Sequence, residues 1–312
     1  VNPRYTLAYA DSLPKFDRGV SWLCWAYNEE ELIGQYLQKA ETLLDQTVED
    51  YEIVVIDDCS TDRTNAIVAE MQRRNPRIRL IRNEQNLNVG LSSRKAIQSA
   101  RKEYLFWQTI DWAYDISLLR IFLELLKTYD IVAGARRAPV RVADNIRFMK
   151  PILALLKLFG VKHLTRRSDT IRKALVSLFN YILIRLLFRV PLSDYQNVVF
   201  YPTKLIQSIQ YEARSSFTNP EGLIKCHWQG ASIAEVPISF IPRTAGEAKG
   251  TRFKALFSSV TDIFRLWWQW IVLGRRRAVN NGDIYRLYPE EWESPQSLKT
   301  GESKACYVSC SD

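Results

Sequence analysis

Histidine is nearly missing from this chain: there are two in 312 residues, His163 and His227, both in ordinary contexts. Catalysis built on a histidine base is therefore a poor expectation. Cysteine is sparse as well, with five residues at scattered positions. An odd, dispersed set argues against a disulfide framework and for a reducing compartment. Cys306 and Cys310, with three residues between them near the C-terminal end, are expected as free thiols rather than a metal pair. No apolar run is long enough to cross a bilayer. The longest, Ala174 to Leu192 and Phe264 to Leu273, are interrupted by Asn180, Arg185 and Arg189, and by Arg265 and Gln269. The opening VNPRYTLAYADSLPKFDRG has no charged stretch leading into an apolar one, so no secretory signal is expected there.

What is present is a core-forming composition, 47% apolar, in a length that suits one large domain or two small ones. The net charge of +9 is unevenly spread. From Gly134 to Val190 thirteen Lys and Arg face two acids, Asp144 and Asp169, so this segment carries +11 and the remainder is slightly acidic. Such a block needs an anionic partner or a solvated face. Nucleic acid, phospholipid headgroups and phosphorylated substrates all qualify.

The first 135 residues alternate strand and helix patterns. Strands are predicted at Val20–Ala26, Glu52–Ile56, Arg77–Arg82, Glu103–Gln108 and Asp130–Gly134. Helices are predicted between them at Glu29–Leu44, Thr61–Arg74, Leu91–Lys102 and Asp115–Tyr129. Alternation at this spacing makes the fold class α/β, a Rossmann-like and mostly parallel central sheet flanked by helices. Ligands of such sheets bind beyond the carboxyl ends of the strands. That rule selects WAYNEE, DDCSTD and QTIDWAYD. The second half predicts amphipathic helices at Phe148–Gly160 and Thr170–Phe188 and a short strand around PLSDYQNVVFYP. A helix at Glu221–Gln229, a strand at Ser232–Phe240 and a long helix from Phe253 to about Leu273 follow, and then an extended tail.

Each acidic cluster admits two readings. In DDCSTD, Asp57 and Asp58 can accept hydrogen bonds from a nucleobase edge or a ribose hydroxyl, or can join Ser60 in capping the next helix. In WAYNEE, Tyr27 can stack on a base while Glu29 accepts from it, or Asn28 can act as an N-cap. In QTIDWAYD, Asp111 and Asp115 lie four apart, and Thr109 stands where a metal-binding Asp-x-Asp would begin. Asp115 is expected to start the following helix.

The stretches SWLCWAYNEEELI and EIVVIDDCSTDRT, followed in order by GARR, SDYQNVVFYP and ASIAEVPISFIPRTAGEAK, resemble the family 2 inverting glycosyltransferases with the GT-A fold. Within that family the pattern is similar to the polyprenol-phosphate glycosyltransferases, of which dolichol-phosphate mannose synthase is an example. The resemblance implies that Tyr27, Glu29, Asp57 and Asp58 bind the base and ribose of a nucleotide-diphosphate sugar. It implies that Asp111 is the catalytic and metal-facing acid, for Mg²⁺ or Mn²⁺, and that Arg243 and Lys249 cradle the diphosphate or the acceptor phosphate. Arg136 or Arg137 would face the acceptor phosphate, and Asp194, the other catalytic acid, would orient the acceptor or a cationic neighbour. Were the acceptor a saccharide hydroxyl, Asp194 would be the candidate general base. The sequence departs from the pattern at Trp25 for a proline, Asn88 for a glycine, Val199 for a glycine, Ala248 for a serine, and Thr109 for the first metal aspartate; Ala113 offers no substitute for that acid.

The basic amphipathic helices, with FRLWWQWIVLGRRR, suit an in-plane position at a bilayer interface. The aromatics lie with long aliphatics rather than among the cations, which argues against nucleic acid. The expected organisation is an N-terminal arm over 1–19 and a GT-A domain over 20–250 that contains basic helices at about 145–190. An amphipathic helix over 251–277 and a tail over 278–312 complete it. The expected activity is transfer of one sugar to a polyprenyl phosphate by a cytoplasmic enzyme, peripheral on the cytosolic face of a membrane. Transfer to a saccharide hydroxyl, and a catalytically degenerate nucleotide-binding or membrane-bound scaffold, are the alternatives.

Overall fold

The structure, a computed structural model, describes residues 7–136, 171–238, 241, 253–275 and 280–287. The chain forms β1 (Val20–Ala26), α2 (Ile33–Thr47), β2 (Tyr51–Asp57), α3 (Thr64–Arg74), β3 (Ile78–Arg82), α4 (Asn88–Ser99), β4 (Tyr104–Trp107), α5 (Leu119–Leu125) and β5 (Ile131–Arg136), preceded by α1 (Leu7–Ser12). After the gap come α6 (Ile171–Phe188), β6 (Val199–Pro202), α7 (Thr203–Gln207), α8 (Thr218–Trp228), β7 (Ile233–Ile238), α9 (Phe253–Trp267), a π-helical turn (Trp268–Val272) and β8 (Ile284–Arg286).

The eight strands form one sheet in the order β3-β2-β1-β4-β6-β5-β7-β8. All neighbours are parallel except β6, which runs antiparallel to both β4 and β5. The expected mostly parallel α/β sheet is therefore present. β2 is buried at every position because both of its faces are covered, as parallel strands require. Alternation along β1 divides the interior. Trp22 and Cys24 face one core with Ile33, Leu37, Ala40 and Leu44 of α2, while Leu23 faces the other with α4, α6, α8 and α9.

The order reverses at β1: the chain moves outward through β2 and β3, then returns to place β4 on the other side of β1. Such a switch point opens a crevice at the carboxyl ends of β1 and β4. Gly90, in the first turn of α4, lets the backbone of Arg214 and Ser215 lie against that helix; a Cβ there would stand 2.3 Å from Arg214 O.

Several boundaries differ from expectation. α2 and α3 begin later than predicted, at Ile33 and Thr64, because the residues before them form inter-loop contacts. α5 keeps only Leu119–Leu125 of the expected Asp115–Tyr129. Within the expected N-terminal arm, Phe16 is buried and exchanges backbone hydrogen bonds with Thr47 and Glu49. Arg120 Nη1 also donates to Ala10 O, Asp11 O and Leu13 O. In the expected tail, residues 284–286 add the eighth strand beside β7. The predicted helix at Phe148–Gly160 lies outside the described residues, as do Cys306 and Cys310. Cys24, Cys59 and Cys226 are free, and burial pushes the Cys24 thiol up to about 12. Among the described residues no helix is long and apolar enough to cross a membrane.

Candidate active site

The loops after β1 and β2 are joined by their own side chains. Asn28, at φ +51, donates its N–H to Ser60 Oγ (3.0 Å) and accepts the N–H of Thr61 on Oδ1 (2.8 Å). Glu29 N–H reaches Thr64 Oγ1 (2.8 Å), Glu30 N–H reaches Asp62 Oδ2 (3.1 Å), and Glu30 Oε2 accepts from Arg63 N–H (3.0 Å). Capping is thus exchanged between the two loops, alongside a local bond in which Asp62 Oδ1 accepts from Thr64 N–H (2.9 Å). The N-cap positions of α2 and α3 are Leu32 and Arg63, and neither makes a side-chain cap bond.

Tyr27 and Glu29 remain half-buried at the mouth of this joint. Asp57 is fully buried: Oδ1 accepts from Ser60 N–H (3.1 Å), Oδ2 accepts from Asn65 Nδ2 (3.0 Å) and lies 3.5 Å from Arg82 Nε. It shapes the loop from inside. Asp58 is 5% exposed, and its Oδ1 accepts from Asn83 Nδ2 (2.8 Å), Leu87 N–H (2.8 Å) and Ser92 Oγ (2.9 Å). Three donors on one carboxylate oxygen fix it firmly, and Oδ2 takes none of the three.

The turn after β4 is held by an aromatic anchor. Trp112, at φ +53, packs against Trp22 (5.4 Å) and Tyr36 (5.6 Å), with Lys39 Nζ 4.0 Å over its ring. Tyr36 Oη accepts from Trp22 Nε1 (2.6 Å) and donates to Gln108 O (3.0 Å). Its acidity is pushed well down by burial first, and then by neighbours that include Asp111. Thr109 Oγ1 accepts from Ala113 N–H (3.1 Å), Gln108 Oε1 accepts from Thr109 N–H (2.9 Å), and Gln108 Nε2 donates to Tyr114 O (2.7 Å). The polar groups beside Asp111 are therefore engaged in the turn. Asp111 is the carboxylate this turn offers a metal; among the described residues no group of three or more His, Cys, Asp or Glu could hold one. That one carboxylate would suit a divalent ion only with phosphate oxygens and water as the remaining ligands.

Asp115 stands apart. It accepts from Ser117 N–H (3.0 Å), a turn that precedes α5 rather than capping it. It also lines a cavity of about 460 Å³ with Lys39, Trp112 and Arg120. That cavity lies against α2, and Asp57, Asp58, Asp111 and Asp194 do not line it.

Asp194 arrives from the loop before β6, which runs antiparallel to β4 with Phe200 opposite Phe106. This brings the loop to the carboxyl end of β4, where Tyr114 Oη donates to Gln196 O (3.3 Å). Asp194 is 2% exposed; Oδ1 accepts from Gln196 N–H (3.2 Å) and Oδ2 from Asn197 Nδ2 (3.5 Å). Gly134 of the GARR stretch leaves room for this, since a Cβ there would stand 3.1 Å from Asn197 Oδ1.

Tyr27, Glu29, Asp58, Asp111 and Asp194 thus belong to loops at the carboxyl ends of β1, β2 and β4, where Asp57 ends β2. Arg136 ends β5 opposite Ile238, and its side chain lies outside the described residues, as do Arg137, Arg243 and Lys249. Sequence reasoning missed Glu235 and Arg286. Both oxygens of Glu235 accept from Ser193, and Arg286 Nε lies 3.3 Å from Glu235 Oε2. A lone acid inside the apolar strand IAEVPI was a usable signal for Glu235. The segment around Arg286 carried none.

Comparison with known proteins bears on this geometry. The glycosyltransferase AglD of Haloferax volcanii is 24% identical over 263 residues, which cover 82% of this chain and 38% of AglD. The putative teichuronic acid biosynthesis glycosyltransferase TuaG of Bacillus subtilis is 29% identical over 98 residues, 31% of this chain and 38% of TuaG. The chain thus spans less than half the length of these relatives. Among solved structures, mannosyl-3-phosphoglycerate synthase from Rubrobacter xylanophilus aligns with a TM-score of 0.55 at 15% identity, covering 95% of this chain and 93% of that one. The mannosyltransferase PcManGT from Pyrobaculum calidifontis, in complex with GDP-Man and Mn²⁺, aligns with a TM-score of 0.52 at 13% identity, covering 86% and 74%. At such identities the likeness is one of fold, and it agrees with the expected GT-A architecture. The model of Glycosyl transferase family 2 matches residues 21–191, from β1 to the threshold of Asp194. That match takes in more than half of the 312 residues, so the chain belongs to glycosyl transferase family 2.

Proposed function

We propose that this chain moves one sugar from a nucleotide-diphosphate sugar onto a polyprenyl phosphate at a membrane surface, with inversion. The observation that carries the acceptor and its location is the distribution of exposed apolar side chains. Of nine large hydrophobics exposed among the described residues, seven lie on α6, α9 and the π-turn, namely Phe179 and Leu186, Phe257 and Phe264, and Trp268, Ile271 and Val272, and an eighth, Leu273, directly follows that turn. α6 ends the segment that carries the basic excess. An apolar stripe beside concentrated cations suits an anionic lipid surface.

In this reading Tyr27, Glu29 and Asp58 take the base and ribose, with the first two on a loop that Ser60, Thr61 and Thr64 tie down and Asp58 fixed by Asn83, Leu87 and Ser92. Arg243 and Lys249 neutralise the diphosphate, and Arg136 or Arg137 meets the acceptor phosphate. An oxygen of the acceptor phosphate attacks the anomeric carbon; the bond from that carbon to the diphosphate oxygen breaks, and its electron pair leaves with the nucleoside diphosphate. Attack opposite the leaving group inverts the centre. A divalent ion held by Asp111 would offset charge on the leaving diphosphate. A phosphate oxyanion is already nucleophilic at neutral pH, so no strong base is needed. The near-complete burial of Asp194, with backbone and amide donors on its oxygens, favours an orienting role over a base that must reach an incoming hydroxyl.

The test is incubation with UDP-glucose, UDP-N-acetylglucosamine and GDP-mannose, each with undecaprenyl or dolichyl phosphate in vesicles, and mass spectrometry of the lipid fraction. A glycosyl phospholipid product is expected. Glycosylation of a saccharide with no lipid product would overturn the reading. Asp194→Asn is expected to slow transfer about tenfold with no new pH dependence. A pH-dependent loss of about 10²–10⁴-fold would mark a general base and a hydroxyl acceptor.

A further inference from the structure

The segment that delivers Asp194 is held from three elements at once. From α6, Tyr181 Oη and Arg185 Nη1 donate to Leu192 O at 3.1 and 3.3 Å. From β7, Glu235 Oε1 accepts from Ser193 N–H at 2.6 Å, and Oε2 accepts from Ser193 Oγ at 2.8 Å. From β8, Arg286 Nη2 donates to Pro191 O at 2.5 Å, while Nε lies 3.4 Å from Ser193 Oγ and 3.3 Å from Glu235 Oε2. Glu235 and Arg286 are cross-strand partners in the β7–β8 register, so the sheet itself sets their separation.

This arrangement is costly for a core. Glu235 is 0% exposed, and burial pushes its carboxyl above the ordinary 4.5, with Asp194 among the groups raising it and Arg286 and Ser193 opposing. An apolar side chain would fill the same position with less desolvation. The polar group instead spends both oxygens on the residue preceding Asp194. Tyr195, on the other side of Asp194, is pinned in turn by donating to Val190 O.

We infer that Glu235 and Arg286 are positioning residues for transfer, and that they fix the place of Asp194 by clamping Pro191 and Ser193. The inference rests on the role proposed for Asp194. A group that orients a reactant must be held to within a fraction of an ångström, which one hydrogen bond on a loop does not achieve. β8 thereby becomes part of the site although it lies at the far edge of the sheet.

The test uses the full chain with Arg286→Gln, Arg286→Lys and Glu235→Gln. Hydrogen exchange needs no substrate. Arg286→Gln is expected to raise exchange at the amides of residues 192–197 tenfold or more while β1 and β2 are unchanged, with Arg286→Lys intermediate. With the donor the wild type turns over, kcat should fall by about three- to tenfold, no more than Asp194→Asn itself costs, while KM for the donor stays within about twofold. In an Asp194→Asn background, Arg286→Gln should cost less than a further twofold, because a residue acting through Asp194 has nothing left to position. Unchanged exchange in the loop, or an equal loss in both backgrounds, overturns the inference. A wild-type rate in Asp194→Asn would instead sink the role of Asp194 itself. Should Arg286→Gln fail to fold, Ser193→Ala removes one hydroxyl and spares the buried ion pair, and the same rise in exchange is expected.

Discussion

Asn88 opens α4 at φ +63, in the left-handed region that β-branched residues enter only at a cost. The family resemblance implies a glycine there, and asparagine is among the few other residues that tolerate the conformation. The substitution therefore keeps the backbone path that brings Leu87 N–H to Asp58. Asn88→Gly should change unfolding free energy by less than about 0.5 kcal/mol, whereas Asn88→Val should lower it by about 1–2 kcal/mol. Urea unfolding measures both; equal stability of the valine variant would remove the backbone argument. At this scale the sequence made positions legible more than roles. The acids at 57, 58 and 111 could be found because the ends of buried strands lead into short polar loops, whereas Asp194, which precedes β6, was reached only through the family resemblance. That Asp57 would turn inward, or that Asn28 would serve the neighbouring loop, depends on partners more than thirty residues away in the case of Asn28. No local pattern encodes such pairings.

Helices and strands were legible where their period was long enough to register. α2 repeats its buried positions at Ile33, Tyr36, Leu37, Ala40 and Leu44, and β2 is a β-branched run. β8 has three residues and gains its identity only from pairing with β7, so nothing in its sequence announces it. The π-turn after α9 is equally silent, yet it matters. Its wider bonding, seen in Leu273 N–H to Trp268 O, turns Trp270 inward to donate to Glu212 Oε1 (2.9 Å) and leaves Trp268 and Ile271–Leu273 outside. With Phe257 and Phe264 these make one stripe at helical spacing. If that stripe enters a bilayer, Phe264→Glu together with Trp268→Glu should weaken binding to phosphatidylglycerol vesicles about 100-fold, from about 3 kcal/mol of lost apolar burial. Both side chains are exposed, so the melting temperature should hardly move. Vesicle sedimentation that is unchanged by the double substitution would refute membrane contact through this face.

For the molecule as a whole, the proposed reaction raises the question of how a site in which Asp111 would be the one metal-facing acid handles a diphosphate. Thr109 occupies the place of a second acid, and its hydroxyl accepts from Ala113 N–H instead of facing outward alone. Gln108, the nearest amide, is bonded to Thr109 and Tyr114. With Asp111 supplying the one carboxylate of the turn, the described residues would hold a divalent ion only weakly by themselves, and in the proposed reaction phosphate oxygens would complete the shell. Metal and nucleotide then become obligate partners. Mn²⁺ alone should bind with an affinity on the order of 10⁻³ M or weaker. UDP or GDP should tighten Mn²⁺ binding about tenfold or more, and by linkage Mn²⁺ must tighten the nucleotide by the same factor. A thermal-shift titration reads this without any acceptor, because each ligand that binds only the folded state raises its stability by mass action. The two together should raise the melting temperature by more than the sum of the separate shifts. Asp111→Asn should abolish that excess and leave the metal-free nucleotide shift in place, since Tyr27, Glu29 and Asp58 lie on other loops. Thr109→Asp restores the second acid in a position where its oxygen can still accept from Ala113 N–H, so it should strengthen Mn²⁺ binding in the absence of nucleotide. Additive shifts in the wild type, or an excess that survives Asp111→Asn, would mean that the diphosphate is neutralised by cationic side chains instead.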